Sequence, residues 1–234
     1  MPSSPYEFHV PITSLPIIGS EKAFAVRRIY CVGRNYVEHI REMKEGDERD
    51  PPFFFQKPTD AIVLDGATLP FPVWTEDYQY EIELVAAIGK AGRDIEVGEA
   101  LSFVFGYAVG LDMTRRDRQR EARDRRLPWE MGKSFDNSAP CTALRKATEI
   151  GHPNNGPITL SVNGTLKQKG DLGQMIWKVP EIIANLSTQY ELAAGDLIFT
   201  GTPAGVGPVE PGDIMTGTIA GVDTLTITVG SRSR

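Results

Sequence analysis

Two glutamates stand near the start of an otherwise apolar segment, YEIELVAAIGK, at residues 80–90. An apolar run of this kind predicts a buried β-strand. Because side chains alternate faces along a strand, Glu81 and Glu83 would point the same way, with Cα atoms roughly 6–7 Å apart. Their charges repel, and burial removes their hydration. Three arrangements remain open: the face is exposed to water, each acid meets an arginine or lysine, or both bind a cation.

A third acid ends a second apolar strand, FVFGYAVGLDMT, at residues 103–114. Asp112 could cap the helix that follows it. Alternatively, three carboxylates on two apolar strands, with no histidine or cysteine close in sequence, form the all-oxygen set that Mg²⁺ or Mn²⁺ prefers. If all three acids are buried together, a doubly charged ion is the neutralising group that we expect.

Composition and net charge indicate which kinds of ligand and compartment suit this protein. The 234 residues are 41% hydrophobic and 24% charged, with a net charge of −6. An acidic chain is a poor ligand for nucleic acid or anionic membrane, since both reward positive charge. Two cysteines are typical of a reducing compartment, and neither a secretory signal nor a membrane span is evident. We therefore expect a cytoplasmic protein that acts on a small molecule.

The order of predicted elements favours a β-rich α+β fold. Strands are predicted at 27–33, 80–88, 103–111, 158–163, 197–200 and 224–229, with an extended run at 51–58 and a hairpin turn at Asn163-Gly164. Three helices are predicted. The first covers 35–47 and stops near Gly46. The second follows Thr114, which would cap it with Asp117 in the capping-box position, and the third runs from Pro180 to before Gly195. The absence of regular β-α alternation argues against a doubly wound fold. We predict a lead-in at 1–26 and a single catalytic domain at 27–234.

The predicted helix at 35–47 carries a candidate base. His39 and Glu42 are three residues apart and so share a helix face. A carboxylate beside an imidazole can orient the ring to accept a proton. The alternative is a solvated helix with a bystander histidine. The other histidines, His9 and His152, lie in irregular segments.

Several polar residues follow the acids along the chain. Segment 115–126 contains seven arginines interleaved with acids, so it predicts a solvated helix or, if the protein is not an enzyme, a binding module for an acidic partner. Arg116 and Gln119 lie in its first turns, where they could face a ligand at the acids. Lys133 is polar among apolar neighbours, and it could instead snorkel to water. The loop at 199–213 is either plain turn structure or a device that brings N–H groups and Thr202 to an anion.

Taken together, these stretches resemble the fumarylacetoacetate hydrolase family from about Arg27 to Val229. The matching motifs, in family order, are YCVGRNYVEHIREM, FFFQKP, YEIELVAAIGK, GYAVGLDMTRRDRQ, PWEMGKSFD, SVNG and GDLIFTGTPAGVGPV. The resemblance implies a mixed β-sandwich roll, or pseudo-barrel, with peripheral helices, an N-terminal lid helix and a homodimeric assembly.

The resemblance also implies roles for individual residues. Mg²⁺ or Mn²⁺ would be held by Glu81, Glu83 and Asp112; the catalytic residues would be His39, Glu42 and Lys133; and the substrate-binding residues would be Arg116, Gln119 and Thr202. The implied reaction is hydrolysis of a C–C bond in an acylpyruvate. The lead-in and the segment PPFFFQKPTDAIV resemble bacterial members that act on fumarylpyruvate in gentisate breakdown. Hydrolysis of short acylpyruvates, decarboxylation of oxaloacetate and dienoate isomerisation or decarboxylation use the same constellation and stay open.

Overall fold

Strands dominate the computed structural model, which describes residues 7–8, 10–43 and 50–232. Within these residues the largest sheet has eight strands. Its order is β4 (Phe53–Lys57), β3 (Arg28–Gly33), β15 (Asp196–Phe199), β8 (Ile82–Ile88), β9 (Val104–Leu111), β11 (Ala139–Cys141) and β5 (Ile62–Leu64), with β12 (Arg145–Lys146) also paired to β9.

A second sheet packs against one face of the first. Its order is β14 (Thr165–Asp171), β13 (Pro157–Val162), β17 (Ile214–Ile219), β18 (Asp223–Arg232) and β6 (Thr68–Phe71). Two small sheets are formed by β10 (Thr114–Arg115), β7 (Tyr78–Tyr80) and β16 (Gly207–Pro208), and by β1 (Ser14–Pro16) and β2 (Ala23–Ala25). The helices are α1 (Val37–Met43), α2 (Arg116–Asp124), α3 (Glu130–Lys133), α4 (Ala147–Ile150) and α5 (Val179–Gln189), with 3₁₀ turns at Thr59–Ala61, Ala100–Phe103 and Leu172–Gln174.

The central strand β8 is buried along its whole length, and its two faces contribute to different parts of the core. Leu84 belongs to the large cluster between the two sheets, whereas Val85 belongs to a smaller cluster on the opposite face. By alternation, Glu81 and Glu83 lie on the face of Val85. The acids therefore occupy one end of a sheet face whose remainder is apolar.

The lead-in covers the apolar part of that face. Strands β1 and β2 pair antiparallel. Leu15 of β1 and Phe24 of β2 are buried in the same hydrophobic cluster as Val85. The hairpin removes this surface from water, which is favourable at about 25 cal/mol per Å² of apolar area. The division into a lead-in and one catalytic domain stays a prediction.

Most of the predicted elements are confirmed, and so is the β-rich class. The strands near 28–33, 82–88, 104–111, 157–162, 196–199 and 223–232 are present. Asn163 and Gly164 have φ values of 51° and 76° and join β13 to β14, as a tight hairpin turn requires. Helix α5 begins one residue before Pro180 and buries Ile182, Ile183 and Leu186 on one face.

One predicted cap is wrong. Thr114 does not cap α2, because it lies in β10, where it pairs with Gln79 of β7. The helix begins at Arg116 without a side-chain cap. The Asp117 carboxylate instead accepts hydrogen bonds from the Thr75 hydroxyl at 2.6 Å and from the backbone. The pairing of β10 with β7 thus overrides a local capping pattern.

The helix predicted at 35–47 is present as α1 up to Met43, and its predicted end near Gly46 lies outside the described residues. His9 lies outside them as well. None of the described helices is long and apolar enough to span a membrane.

Candidate active site

Strand pairing brings the three acids together. Glu83 pairs with Gly110 across β8 and β9, and the Asp112 N–H donates to the Glu81 carbonyl at 2.9 Å. One oxygen from each carboxylate lies within 4.8 Å of the others. The residues are 5%, 2% and 1% exposed for Glu81, Glu83 and Asp112. Asp112 is therefore part of a buried acid cluster and does not cap α2.

Two of the acids are paired with cations of the protein. Lys133 Nζ lies 2.8 Å from Glu81 Oε2 and 2.8 Å from Asp112 Oδ2. The Arg116 guanidinium donates to Glu81, and Lys57 Nζ lies 2.9 Å from Asp112 Oδ1. A doubly charged ion is therefore not the only group that can oppose these charges, because three side-chain cations already face Glu81 and Asp112.

Glu83 is the exception. Among the described residues no lysine or arginine pairs with it, and its Oε2 accepts only the Gly201 N–H, at 2.7 Å. Burial, together with the carboxylates of Asp112 and Glu81, raises the pKa of Glu83 well above its usual range. Glu81 shows the opposite balance, since burial opposes ionisation but Lys133 and Arg116 outweigh it and lower its pKa.

The donor set fits a hard divalent cation. All three candidate ligand groups are carboxylates, and the described residues place no histidine or cysteine among them. Asp112 Oδ1 is buried and makes no hydrogen bond, although Lys57 Nζ is close to it. Glu83 is a buried acid whose ionised form has no side-chain cation beside it among the described residues. A cation bound by Glu81, Glu83 and Asp112 would satisfy both groups.

Helix α1 brings a histidine–carboxylate pair to the same cavity. His39 Nδ1 is hydrogen bonded to Glu42 Oε2 at 3.1 Å, and Glu42 Oε1 also accepts the Gly205 N–H at 3.1 Å. Burial would raise the pKa of Glu42, but the hydrogen bonds from His39 and Gly205 lower it. The ring is thus held through Nδ1, and Nε2 is left for a ligand or water.

A buried asparagine anchors the start of α1. Asn35 Nδ2 donates to the carbonyls of Thr200, at 2.7 Å, and Trp177, at 2.9 Å. Its Oδ1 accepts the Trp177 N–H at 2.7 Å. Because these partners follow β15 and precede α5, one side chain fixes α1 against the strand that leads to Gly201.

The predicted substrate-binding residues face the same cavity. Arg116 is almost fully buried and donates from Nε to Gln79 at 2.8 Å and from Nη1 to Gln119 Oε1 at 2.6 Å. The predicted residues that line the cavity are Glu81, Glu83, Asp112, His39, Arg116, Gln119, Lys133 and Thr202. Glu42 is absent from the lining and contributes through His39. The structure brings all nine together, and their individual roles stay predictions.

The glycine-rich loop presents its N–H groups to acids of the protein. Gly201 and Gly205 donate to Glu83 and Glu42, so the loop binds carboxylates that are already in place. Both glycines have positive φ, 92° and 99°. A Cβ at Gly205 would lie 2.3 Å from the Lys167 carbonyl oxygen. The close approach therefore requires glycine.

Sequence reasoning missed Lys57. It ends the apolar run FFFQKP and is 3% exposed, with Nζ donating to the Met113 carbonyl at 3.2 Å and to the Lys133 carbonyl. A charged residue embedded in an apolar strand is the signal that identified Glu81 and Glu83, and it could have identified Lys57 too.

The remaining wall of the cavity includes Ile40, Met43, Phe55, Trp129 and Arg34. These residues are far apart in the sequence, so local sequence patterns do not show that they meet.

The arginines of α2 and of the residue that follows it, other than Arg116, are largely matched by acids. Arg118 pairs with Glu121 at 2.9 Å, Arg125 pairs with the same acid at 3.0 Å, and Arg120 pairs with Asp77 at 2.8 Å. Surface pairs of this kind contribute little to stability, but they offset the positive charge that an acidic partner would need. The binding-module alternative is not supported by this surface.

The other candidate groups lie outside the site. Cys31 and Cys141 are buried and free, and burial raises the pKa of both thiols, so neither is an activated nucleophile. His152 Nδ1 is hydrogen bonded to the Tyr107 hydroxyl at 2.8 Å, away from the acids.

Comparison with known proteins decides the family. The family model for the fumarylacetoacetate (FAA) hydrolase C-terminal region matches residues 28–230. The chain belongs to the fumarylacetoacetate hydrolase family. It is a hydrolase of carbon–carbon bonds, and the β-rich fold is that of its family relatives.

The relatives differ in the activities for which they are named. A crystal structure of fumarylpyruvate hydrolase from Pseudomonas aeruginosa, with Mn²⁺ and pyruvate, matches with a TM-score of 0.93 at 51% identity, over 97% of this chain and 100% of that one. Fumarylpyruvate hydrolase from Ralstonia sp is 45% identical over 76% of this chain and 92% of its own length. Mitochondrial oxaloacetate decarboxylase from Dictyostelium discoideum is 44% identical over 85% of this chain and 91% of its own.

The buried cation Lys57 generates a stability prediction. We expect Lys57→Met to lower the free energy of unfolding in EDTA by about 3–5 kcal/mol, because the variant leaves the three buried carboxylates with only Lys133 and Arg116 to oppose their charge. Millimolar Mn²⁺ should raise the melting temperature more in the variant than in the wild type, since the ion can replace the lost charge. Urea unfolding and thermal melts measure both effects.

Lys22→Met is the matched control, because Lys22 is exposed. It should change the free energy of unfolding by no more than about 0.5 kcal/mol. Equal stability of Lys57→Met and Lys22→Met in EDTA would contradict the charge balance described above.

Proposed function

We propose that the protein hydrolyses fumarylpyruvate to fumarate and pyruvate. The observation that carries this proposal is the meeting of the acid cluster and the His39–Glu42 pair at one cavity lined by cationic side chains. The Pseudomonas and Ralstonia relatives, named for this reaction, support it.

Glu81, Glu83 and Asp112 would hold the divalent cation, Mg²⁺ or Mn²⁺. When bound, the ion supplies Lewis acidity toward the oxygens of a diketo acid. The acids would hold the ion in the cavity that Lys133 and Arg116 also line.

His39 would act as the base. Held by Glu42 at Nδ1, it takes a proton from water at Nε2, and the resulting hydroxide adds to the carbonyl carbon distal to the pyruvoyl carboxylate. The bond from that carbon to the pyruvate methylene then breaks, and its electron pair becomes the enolate of pyruvate. The proton held by His39 balances the reaction by returning to the enolate carbon.

Three further side chains would bind and orient the substrate. Arg116, Gln119 and Thr202 line the cavity, and each can donate to a carboxylate or carbonyl oxygen. Lys133 would offset the negative charge that develops as the C–C bond breaks. Its own pKa favours that role: burial alone would lower it, but Asp112 and Glu81 outweigh burial and raise it.

Helix α1 is the proposed lid. The cavity measures about 40 Å³, which suits a few water molecules, whereas pockets for small organic ligands are usually several hundred Å³. Because α1 supplies His39 and Ile40 to the cavity wall, a shift of this helix would admit the diketo acid. The contact between Glu42 and Gly205 would then break and re-form.

We further propose that the protein is a homodimer, works in the cytoplasm and serves gentisate degradation. The family resemblance supports the dimer and the pathway, and two buried free cysteines fit a reducing compartment. Light scattering coupled to size-exclusion chromatography tests the dimer, and cell fractionation tests the compartment. A monomer at micromolar concentration would contradict the first proposal.

Metal dependence and substrate preference are tested together. The loss of ultraviolet absorbance of fumarylpyruvate should require Mg²⁺ or Mn²⁺ and should stop in EDTA. Glu83→Gln should reduce kcat/KM by about 10²-fold or more, because it removes one of the three carboxylates. Glu99→Gln, an exposed matched control, should leave the rate unchanged. Wild-type turnover in metal-free buffer would rule out the metal role.

Decarboxylation of oxaloacetate is the second candidate, favoured by the Dictyostelium relative. The same preparation should therefore be assayed with oxaloacetate and acetylpyruvate. A kcat/KM for oxaloacetate above that for fumarylpyruvate would replace the proposed substrate while leaving the metal site in place.

Substitution of the base should separate binding from chemistry. We expect His39→Ala to lower kcat by about 10²–10⁴-fold, the usual contribution of a positioned base, while pyruvate still binds to the Mn²⁺-loaded protein. His152→Ala is the matched control and should keep wild-type kcat, since His152 contacts Tyr107 outside the site. Unchanged turnover in His39→Ala would reassign the base. Steady-state kinetics and titration calorimetry provide the two measurements.

A further inference from the structure

The side chain of Gln168 joins two parts of the site. It lies on β14 and is fully buried. Its Oε1 accepts the N–H of Ile82, the residue between the two strand glutamates, at 3.0 Å. Its Nε2 donates to Thr202 Oγ1 and to the Pro203 carbonyl, both at 2.8 Å. One amide thus connects the strand that carries the acids to the glycine-rich loop.

The orientation of this amide is fixed by its backbone partners. The Ile82 N–H can only donate, and the Pro203 carbonyl can only accept. A flipped amide would face a donor with a donor and an acceptor with an acceptor, leaving buried groups unpaired. The Gln168 Nε2 therefore faces Thr202, and the Thr202 oxygen is the acceptor in that hydrogen bond.

This orientation determines what Thr202 can offer to a ligand. A hydroxyl has one hydrogen to donate and two lone pairs to accept with. Gln168 occupies a lone pair, so the hydrogen stays available, and no group among the described residues accepts it. Thr202 also lines the cavity beside the acid cluster. It therefore presents a hydrogen-bond donor to whatever occupies the cavity.

We propose that Gln168 is a positioning residue that sets Thr202 as a donor to a carboxylate or keto oxygen of the substrate. The inference rests on the proposed function, because it takes an oxygen-rich α-keto acid as the ligand. Gln168 does not line the cavity, but it determines whether the Thr202 hydroxyl, which does line it, donates or accepts a hydrogen bond there.

A double-mutant cycle tests this assignment. Pyruvate is the probe, titrated by calorimetry into the Mn²⁺-saturated protein, and the variants are Gln168→Met, Thr202→Val and the two combined. We expect Gln168→Met to weaken pyruvate about tenfold, the scale of one hydrogen bond to a charged group, and to raise KM for fumarylpyruvate with kcat little changed. In the Thr202→Val background, the same substitution should change pyruvate affinity less than about twofold.

Two controls separate positioning from loss of structure. In the Thr202→Ser background the hydroxyl is retained, so Gln168→Met should again weaken pyruvate about tenfold. Gln189→Met, on the exposed end of α5, should have no effect. If Gln168→Met does not fold, Gln168→Glu goes through the same cycle, since it keeps the acceptor for Ile82 and at most one of the two amide hydrogens.

The outcomes distinguish this inference from the proposed function. Equal weakening of pyruvate by Gln168→Met in the wild-type and Thr202→Val backgrounds would overturn the role of Gln168 alone. A wild-type protein that binds no pyruvate with Mn²⁺ would overturn both. Pyruvate binding with a non-additive cycle supports Gln168 even if the preferred diketo acid differs from fumarylpyruvate.

Discussion

The site depends on a balance of buried charge. Three carboxylates within a few ångströms would be untenable in a protein interior without compensation, because burial removes hydration and the like charges repel. Lys57, Lys133 and the guanidinium of α2 provide most of that compensation, and they do so at Asp112 and Glu81. Glu83 is left with one backbone hydrogen bond. The protein therefore builds a cluster that is nearly neutral yet retains one acid, and one unsatisfied aspartate oxygen, for an added cation.

The fold makes this balance possible by placing the acids on one face of one sheet, where α2 and α3 bring Arg116 and Lys133 to them. Alternation along β8 carries the glutamates to the same side as Val85, and the lead-in hairpin seals the apolar remainder of that side. The opposite side packs on the second sheet. Apart from the cavity itself, water is thereby kept from both sides of the strands that carry the acids, which strengthens the charge interactions at the site.

The local part of this arrangement could be predicted from the sequence. The strands of Glu81, Glu83 and Asp112 follow from apolar runs, and the common face of the glutamates follows from alternation. The partners of these acids could not be predicted, because Lys57 lies on β4, which three strands separate from β9 in the sheet, and only the complete fold brings it to Asp112. The Thr114 cap failed for the same reason: its sequence signal was local, whereas the pairing of β10 with β7 is not. Gln168 was missed because nothing near it in sequence marks a buried amide as a link between a strand and a loop.

The apolar side chains of α1 in the cavity wall come from a different part of the chain than the charged floor, which is formed by the acids and their lysine and arginine partners. The acids and their lysine and arginine partners come from strands and from segments packed directly on them, whereas Ile40 and Met43 belong to a single short helix. The candidate metal ligands and these two apolar side chains thus come from separate stretches of chain, although the proposed base, His39, lies on the same helix as Ile40 and Met43. A lineage could retain the charged floor unchanged and acquire a new specificity by altering one helical turn. Such modularity offers a physical reason why relatives named for hydrolysis and for decarboxylation stand at nearly the same identity to this protein.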